Sequence, residues 1–297
     1  MENLNIKVSS APYIKSDNSL NKIMIDFIIA LMPAFLAGVY FYKGKAITIV
    51  AVTIISSILA EGLWNKYVKK CEFLTDYSPI VQGLILGLIL PTFVPLWIPV
   101  IASVFSIIVV KQFFGGFAQN FMNAQAVTKA FLITSWAGVM SKQVLDSTSA
   151  ATEVVETNVS LFSQLLGQGS GGNIGELSIL AICLGGLYLA LRGRISLRGP
   201  IAFILGGMLI NNLLDKELLL SGAFFFAAVF MTTDYGTTPV TKGGQYIFGF
   251  IAGALASTIV NLGYNSEGPY YAIIILNIFT PIIDFIFTKK VKAKKVV

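Results

Sequence analysis

The chain has 297 residues, of which 55% are hydrophobic and 12% charged, and its mean hydropathy is +0.77. Soluble domains carry about 25% charged residues, so the composition favours a multi-pass membrane protein over a soluble enzyme or an aggregation-prone fragment. The net charge of +6 does not indicate nucleic-acid binding, because the basic residues flank apolar segments instead of forming one face. The absence of histidine excludes His-ligated haem, His-ligated metal sites and His-based catalytic triads.

Apolar runs bounded by charges, Gly or Pro predict about ten membrane spans, and therefore an all-α integral membrane protein. In chain order they are Ile23–Tyr42, Ala46–Trp64, Ile80–Leu90, Leu96–Val110, Val127–Met140, Leu177–Leu191, Pro200–Leu214, Leu218–Met231, Ile247–Leu262 and Tyr270–Phe287. Several are shorter than the roughly 20 residues that a perpendicular helix needs. Ile80–Leu90, between two prolines, is the best candidate for a broken or re-entrant helix, whose free backbone groups must face protein or a cavity.

The distribution of Lys and Arg predicts that both termini are cytoplasmic. In this orientation 17 of the 21 basic residues are on the inner side, including Lys111, Lys129 and the arginines of "RGRISLR" (Arg192–Arg198). Four lysines remain on the outer side: Lys43, Lys45, Lys142 and Lys216. The first twenty residues are polar, so we expect no cleaved signal peptide and expect the first span to direct insertion. Cys71 and Cys183 are far apart in the sequence and are expected to be reduced, structural thiols.

The longest connection, residues 141–176, falls on the outer face and divides the chain into two portions of five spans. We predict a cytoplasmic N-terminal segment (1–22), a first transmembrane half (23–140), an outer loop (141–176), a second transmembrane half (177–288) and a basic cytoplasmic tail (289–297). "TDYSP" (Thr75–Pro79) and "TDYGTTP" (Thr233–Pro239) resemble each other. They follow the second and eighth spans, which are not equivalent positions in the two halves, so they give an internal repeat little support.

Acidic residues at the edges of spans are candidates for ion coupling, because a charge in hydrocarbon is costly and is seldom kept without use. The candidates are Asp26, Asp76, Asp234 and Asp284, and Glu61, late in the second span, is a further suspect. The alternative for Asp26 is an interfacial position paired with Lys22. The same alternative applies to Asp284 beside Lys289. Asp76 and Asp234 each begin a Pro-, Gly- or Thr-rich turn, where free backbone groups can bind ions.

Two stretches combine glycine with aromatic residues: "FGGF" (Phe114–Phe117) and "GGQYIFGF" (Gly243–Phe250). Small residues beside aromatic rings can hold a flat ligand, and they equally permit close helix packing of the GxxxG type, as at Gly249 and Gly253. The ligand-binding candidates are Phe114, Gly115, Gly116, Gly243, Gly244, Gln245 and Tyr246. The sequence contains no Walker loop, Rossmann glycine motif or nucleophile elbow, and no catalytic or metal-ligating residue is nominated.

The outer loop contains "DSTSAATEVVE" (Asp146–Glu156), a hydroxyl-rich, acidic stretch in an apolar chain. Its first seven residues resemble the flavinylation motif Asp-x-x-(Ser/Thr)-Gly-Ala-Thr of the Rnf and Na+-pumping NADH:quinone oxidoreductase families. The matching residues are Asp146, Ser149, Ala151 and Thr152, whereas Ala150 replaces the usual Gly and Glu153 the usual small or hydroxyl residue. The alternative from the residues alone is that Thr152 begins a helix.

Two further segments resemble the same family. Phe225–Phe250 is similar to the segment "FFMATDPVTSPxTxKGQ", and Ser10–Ala34 to the N-terminal Ser-Pro-His/Tyr run that leads into the first span. With the outer loop, these segments cover the length of the chain, which is identified as a member of the RnfD family. It is too short to match the longer quinone-reductase B subunits as well.

The resemblance implies a subunit, without complete activity of its own, of a complex in the bacterial cytoplasmic membrane. That complex passes electrons between reduced ferredoxin and NAD+ and couples the transfer to Na+ or H+ export. The subunit would carry FMN joined to Thr152 by a phosphoester on the outer face, added by a flavin transferase, and a second, noncovalent flavin, riboflavin.

The implied partners are the other Rnf subunits, among them a second FMN-bearing subunit and those that handle ferredoxin and NAD. The implied fold has two related five-helix halves, as in urea-transporter-like proteins. Two rival functions remain, namely a channel or secondary transporter of that class without a redox role, and a structural scaffold within a larger complex.

Overall fold

The computed structural model of the chain describes residues 19–140, 165–166, 173–215, 221–263 and 267–288, and in these the regular structure is entirely helical. Five helices are long and apolar enough to cross a membrane: Leu20–Tyr42, Gly44–Lys69, Trp97–Phe114, Lys242–Gly263 and Gly268–Phe287. Three shorter apolar helices are Ser78–Leu88, Ile179–Leu191 and Gly222–Met231. The prediction of an all-α membrane protein with some short spans is confirmed.

The helices coincide with the ten predicted spans. They are α1 (Leu20–Tyr42), α2 (Gly44–Trp64), α3 (Ser78–Leu88), α4 (Trp97–Val104), α5 (Ala124–Ser135), α6 (Ala137–Met140), α7 (Ile179–Leu191), α8 (Arg198–Leu213), α9 (Gly222–Phe226), α10 (Lys242–Gly263) and α11 (Gly268–Phe287). Three of them continue as π-helical turns, α2 through Asn65–Lys69, α4 through Phe105–Lys111 and α9 through Ala227–Met231. The fifth predicted span is broken at Trp136, between α5 and the four-residue α6.

The helices pack in a similar pattern in the two parts of the chain. Within the first part α2 packs against α3 and α4, and within the second α8 packs along α10. Between the parts α1 packs against α7, and α5 packs against α11. Buried side chains such as Leu31, Leu86, Phe203 and Phe248 belong to one continuous apolar core. Helices α1 and α7 are the first of each part, and α5 and α11 belong to the last predicted span of each part. Their contacts place the interface of the two parts at the centre of the molecule.

Helices α8 and α10 approach each other with backbone nearly touching backbone. A Cβ atom at Gly253 would lie 1.8 Å from the carbonyl oxygen of Phe203, and one at Gly206 would lie 2.0 Å from that of Phe250. A Cβ atom at Gly249 would lie 2.4 Å from the carbonyl oxygen of Gly199. Real Cβ atoms cannot occupy such positions, so these glycines are packing residues of the GxxxG kind.

Helix α3 is too short to cross a bilayer. Its 11 residues span about 16 Å at 1.5 Å per residue, against about 30 Å of hydrocarbon. Its last carbonyls are bonded within the protein: Gly175 N–H donates to Leu88 O (2.7 Å) and Ile174 N–H to Leu90 O (3.1 Å). The Lys129 ammonium donates to Ile89 O at 2.7 Å. The predicted re-entrant segment is therefore a half-length helix whose carboxyl end is covered by another part of the chain.

The close packing of α8 and α10 makes a prediction about stability. Gly253→Leu should lower the free energy of unfolding by at least about 1–3 kcal/mol, the usual cost of overpacking, because the two backbones must separate. Gly263→Leu in the same helix is the control, since the nearest atom to a Cβ there is 3.8 Å away in the flexible side chain of Ile259. Thermal unfolding of the purified, detergent-solubilised variants measures both effects. Equal melting temperatures for the two variants would contradict the role of these glycines in packing.

Candidate functional site

A cavity lies where the two parts of the chain meet, beside the amino end of α3 and the π-helical end of α9. The space in it that a water-sized molecule can enter is about 40 Å³, part of it open to the surface. Its apolar walls are Met24, Phe27, Val81, Ile85, Phe117, Phe230 and Met231, and its polar side chains are Ser78, Gln82, Asn120, Asn123, Gln125, Asp234 and Tyr235. An apolar pocket with a few converging polar groups is the usual form of a small-molecule site.

The polar side chains of this central cavity are mostly amides. Asn123 caps α5, its Oδ1 accepting hydrogen bonds from Gln125 N–H (3.2 Å) and Ala126 N–H (3.0 Å), and Asn120 Nδ2 donates to Met122 O at 2.8 Å. The Oε1 atom of Gln82 is buried and has no hydrogen-bond partner within the described residues. A buried acceptor without a partner costs free energy. Gln82 therefore marks the place where a ligand donor would be stabilising.

A second, more polar cleft of about 330 Å³ shares Asp234 and Tyr235 with the central cavity. Its other walls include the hydroxyls of Thr232, Thr233 and Thr238. Asp234 Oδ2 accepts a hydrogen bond from Thr237 Oγ1 at 2.7 Å, so this carboxylate organises its own turn. Burial raises the pKa of Asp234 above its ordinary value, although the hydrogen bonds it accepts act in the opposite direction.

The amino end of α3 carries a buried ion pair. Lys111 Nζ lies 2.5 Å from Glu61 Oε2 and donates to Ser78 Oγ at 2.7 Å. The side chain of Lys111 is 0% exposed and that of Glu61 5% exposed. Removing one partner of such a pair leaves an uncompensated buried charge, which is strongly destabilising. Lys111 therefore holds α2, the extension of α4 and the first residue of α3 together.

A second buried ionic group lies at the other end of α3. Lys129 Nζ is 3.1 Å from Glu267 Oε1 and 5.9 Å from the centre of the Tyr270 ring. The Tyr270 hydroxyl donates a hydrogen bond to Glu176 Oε1, and Asn173 Nδ2 donates to Glu176 Oε2 at 2.8 Å. We call Lys129, Asn173, Glu176, Glu267 and Tyr270 the outer cluster.

The structure gives each of the four aspartates proposed for ion coupling a protein partner. Asp26 pairs with Arg194 Nε (2.6 Å) and Arg192 (3.2 Å) and accepts a hydrogen bond from Tyr188, so its partners are these arginines and not Lys22, the partner named in the alternative. Asp76 caps α3 by accepting a hydrogen bond from Ser78 N–H at 2.7 Å.

Asp284 accepts hydrogen bonds from Val240 N–H and Thr241 N–H, both at 3.1 Å, while Lys289 lies outside the described residues. Asp234 bonds to Thr237 in its own turn. The ion-coupling role of the four aspartates stays a prediction.

Of the two glycine–aromatic stretches, Phe117 lines the central cavity, whereas the seven proposed ligand-binding residues lie apart from its walls. Gly115 and Gly116 form a turn with φ of 120° and 122°, and Lys69 Nζ donates to Gly115 O at 3.0 Å; the Phe114 ring beside them is exposed. Gly243 and Gly244 pack against Phe287 and Ile283. Gln245 lines the second cleft, whereas Tyr246 lies in a shallow apolar groove between α8 and α10. Their ligand-binding role stays a prediction.

The flavinylation motif itself, Asp146, Ser149, Ala151 and Thr152, lies outside the described residues.

Two of the lysines assigned to the inner side belong elsewhere, which corrects the count of basic residues on that side. Lys111 and Lys129 are fully buried inside the helical core, not in cytoplasmic connections, so the inner set of basic residues falls from 17 to 15. The bias toward the inner side persists, and the orientation stays a prediction.

Sequence reasoning missed the amides Gln82, Asn120 and Asn123 and the whole outer cluster. The available signal was a lysine within an apolar run, as in "SIIVVKQFF" and "AVTKAFLI", because a buried lysine requires a partner. Within the described residues no group of three or more Cys, Asp or Glu could hold a metal ion.

Comparison with known proteins gives the family. The sequence model of the NQR2, RnfD, RnfE family matches residues 7–293. The chain belongs to this family. It is 37% identical to the D subunit of the Na+-translocating ferredoxin:NAD+ oxidoreductase complex of Acetobacterium woodii, with 98% of this chain and 96% of the relative covered.

Two further relatives carry related names. The chain is 33% identical to the D subunit of the proton-translocating ferredoxin:NAD+ oxidoreductase complex of Clostridium ljungdahlii, with 96% and 95% covered. It is 27% identical to the D subunit of the ion-translocating oxidoreductase complex of Pectobacterium carotovorum, with 95% and 97% covered. These matches confirm the family that the sequence resemblance indicated, over nearly the whole chain.

The buried pair at the amino end of α3 gives a testable prediction. Lys111→Met should lower the free energy of unfolding by about 3–5 kcal/mol, because Glu61 is left as an uncompensated buried charge. The double variant Lys111→Met with Glu61→Gln should recover much of that loss. Arg192→Met is the control, since Arg192 is exposed and Asp26 retains Arg194. Thermal unfolding in detergent is the measurement, and equal destabilisation by the single and double variants would refute the role of the pair.

Proposed function

We propose that the chain is the D subunit of an ion-translocating ferredoxin:NAD+ oxidoreductase complex and acts in it as a membrane electron carrier. It holds FMN through a phosphoester to Thr152 and binds a second flavin, riboflavin, noncovalently. The complex transfers electrons between ferredoxin and NAD+ and moves Na+ or H+ across the cytoplasmic membrane. Its other subunits carry the ferredoxin and NAD chemistry, and a flavin transferase attaches the FMN.

The similarity to three relatives named as D subunits, over nearly their full length, is the observation that carries this proposal. The all-helical fold with five long apolar helices supports a membrane location. The relatives are named for Na+ in one case and for protons in another, so both ions remain within the proposal. The match of Asp146, Ser149, Ala151 and Thr152 to the flavinylation motif supports the attachment point.

The residues that line the central cavity support the proposal that the second flavin binds there. A flavin ring is flat and largely apolar, and one edge carries alternating carbonyl and N–H groups. Aromatic and aliphatic walls (Phe27, Phe117 and Phe230 among them) face amides that can both donate and accept hydrogen bonds. The unpartnered Oε1 of Gln82 would accept from the ring N–H. The flavin would supply the redox chemistry, while these side chains would orient the ring and exclude water.

The hydroxyls beside Asp234 suit the sugar-like chain of riboflavin. Thr232, Thr233 and Thr238 line the second cleft, which adjoins the central cavity through Asp234 and Tyr235. Hydroxyls and a carboxylate are natural partners for the several hydroxyl groups of a ribityl chain. The two openings together would therefore offer partners to both parts of one molecule, and the side chains of the central cavity, which leave about 40 Å³ accessible to water, would move apart to admit the ring.

The attachment of FMN is tested on the chain purified from cells that contain a flavin transferase. A peptide containing Thr152 should fluoresce and carry the added mass of one FMN, and Thr152→Ala should abolish both signals. Thr157→Ala, another threonine of the same loop, is the matched control and should keep the flavin. An unmodified Thr152 peptide from such cells, together with flavin-free protein that moves solute into liposomes, would favour the transporter function instead.

The second flavin is tested by counting the flavin that acid releases from the purified chain. Gln82→Leu should weaken retention of noncovalent flavin roughly tenfold, the equivalent of about one hydrogen bond. Gln112→Leu makes the same chemical change at another buried glutamine with an unpartnered Oε1, one that is absent from the walls of the cavity, and it should retain the flavin. Equal loss from both variants would show that the flavin does not occupy this cavity.

A further inference from the structure

The outer cluster contains more negative than positive groups. Among the described residues, Lys129 supplies the one positive charge near its two carboxylates, Glu176 and Glu267. Glu176 is 6% exposed, Lys129 0% and Tyr270 0%. With both carboxylates ionised, the cluster would carry a net charge of −1 in a region removed from water, which is strongly unfavourable.

Lys129 is directed to only one of the two carboxylates. Its ammonium lies 3.1 Å from Glu267 Oε1 and donates to Ile89 O at 2.7 Å. Within the part of the chain that the structure describes, the hydrogen-bond partners of the Glu176 carboxyl are both neutral, namely Tyr270 Oη and Asn173 Nδ2. Glu176 is therefore the carboxyl whose charge lacks a direct counterion.

We propose that Glu176 is a proton-binding site: its carboxyl group carries a proton at neutral pH and is the exchangeable acid of the outer cluster. Nothing in the flavin chemistry proposed above requires this proton, so the two proposals stand separately. The groups that face Glu176 are Tyr270 on α11, Glu267 just before α11, Lys129 on α5 and Asn173 on its own segment. The backbone near it contacts α3 and the start of α9 at Leu88 and Gly222, which carry no titratable side chain.

The hydrogen bonds assign the proton to one oxygen. Asn173 Nδ2 donates to Glu176 Oε2 at 2.8 Å, so Oε2 is an acceptor. Tyr270 Oη donates to Oε1 as described, the arrangement of an ionised carboxylate; when the carboxyl is protonated, the proton lies on Oε1 and the phenol oxygen accepts the hydrogen bond instead. The phenol oxygen can accept from a neutral carboxyl or donate to an ionised one, so Tyr270 can remain bonded to Glu176 in both protonation states. This lets the proton leave without breaking the local structure.

Release of the proton is linked to the position of Lys129. If the ammonium moves from Glu267 toward Glu176, the Glu176 carboxyl ionises and gives its proton to water. Glu267, which is 19% exposed at its side chain and closer to solvent than Glu176, can take up a proton in exchange. Glu176 is the last residue of the outer loop, and its neighbours Ile174 and Gly175 bond to the end of α3. A shift of either element would therefore change the occupancy of the site.

Infrared spectroscopy of the full-length chain, with glutamate ¹³C-labelled at the side-chain carboxyl, tests the proposal. The wild-type spectrum at pH 7 should contain a protonated-carboxyl band that shifts with the label and is absent in Glu176→Gln. Because Gln imitates a neutral carboxyl, Glu176→Gln should keep a melting temperature close to that of the wild type. A large drop in melting temperature, or a band that persists in Glu176→Gln, would overturn the proposal.

Three further variants test the charge count of the outer cluster, the hydrogen bond from Tyr270 and the independence of this site from flavin attachment. In Glu267→Gln the lysine loses its counterion, so Glu176 should ionise and its band should disappear; persistence of the band would contradict the charge count. Tyr270→Phe should keep the band but shift it to higher frequency, because a hydrogen bond is lost, and loss of the band would count against the proposal. Thr152→Ala should leave the band in place, which separates this site from failure of the flavin attachment.

The occupant of the site is tested in the same experiment. Addition of Na+ at constant pH and ionic strength should leave the Glu176 band unchanged if the occupant is a proton. Progressive loss of the band with Na+, but not with a bulky organic cation, would mean that Na+ replaces the proton, and it would overturn the assignment.

Discussion

Backbone groups within hydrocarbon need partners supplied by the protein, and most of the central architecture depends on how the ends of α3 meet this requirement. The carbonyls of Leu88, Ile89 and Leu90 are bonded by Gly175 N–H, the Lys129 ammonium and Ile174 N–H. The amino end is capped by Asp76 and contacted by Lys111 through Ser78. A cation at a carboxyl end is also favoured by the helix dipole. A half-length helix becomes stable here because both of its ends are bonded.

The use of half-length helices creates the cavity. Helix α3 begins, and the π-helical extension of α9 ends, at the same place in the centre of the molecule, where Ser78 and Met231 both line the opening. Because neither helix continues, their side of the interface is completed by loops that carry Asn120, Asn123 and Asp234. Loops of this kind bring amide and carboxyl groups to a depth where continuous helices would present apolar side chains. The polar character of the site thus follows from the shortness of the helices around it.

The spans could be predicted from the sequence because apolar runs and their Pro, Gly and charged boundaries are local features. The buried ionic groups could not, because their partners are distant along the chain. Lys111 and Glu61 are 50 residues apart, and Asp26 is 166 and 168 residues from its two arginines. A lysine within an apolar run indicates that a buried cation needs a partner, and only the packing shows which residue supplies it. The resemblance to the family rests on a motif in the outer loop and on two further segments, Ser10–Ala34 and Phe225–Phe250.

The bonding of α3 has a consequence for the order in which the chain can assemble during its synthesis. Ile174 and Gly175 are made at the end of the outer loop, and Glu267 is made close to the end of the chain. When the ribosome has completed α5, the carboxyl end of α3 still lacks its backbone partners and Lys129 still lacks its carboxylate. The carboxyl end of α3 can therefore be completed only after residues 174–175 are made, and the ion pair of Lys129 only after Glu267 is made. A chain that terminates before residue 174 would leave Lys129 without its carboxylate and the carbonyls of Leu88 and Leu90 without their backbone partners.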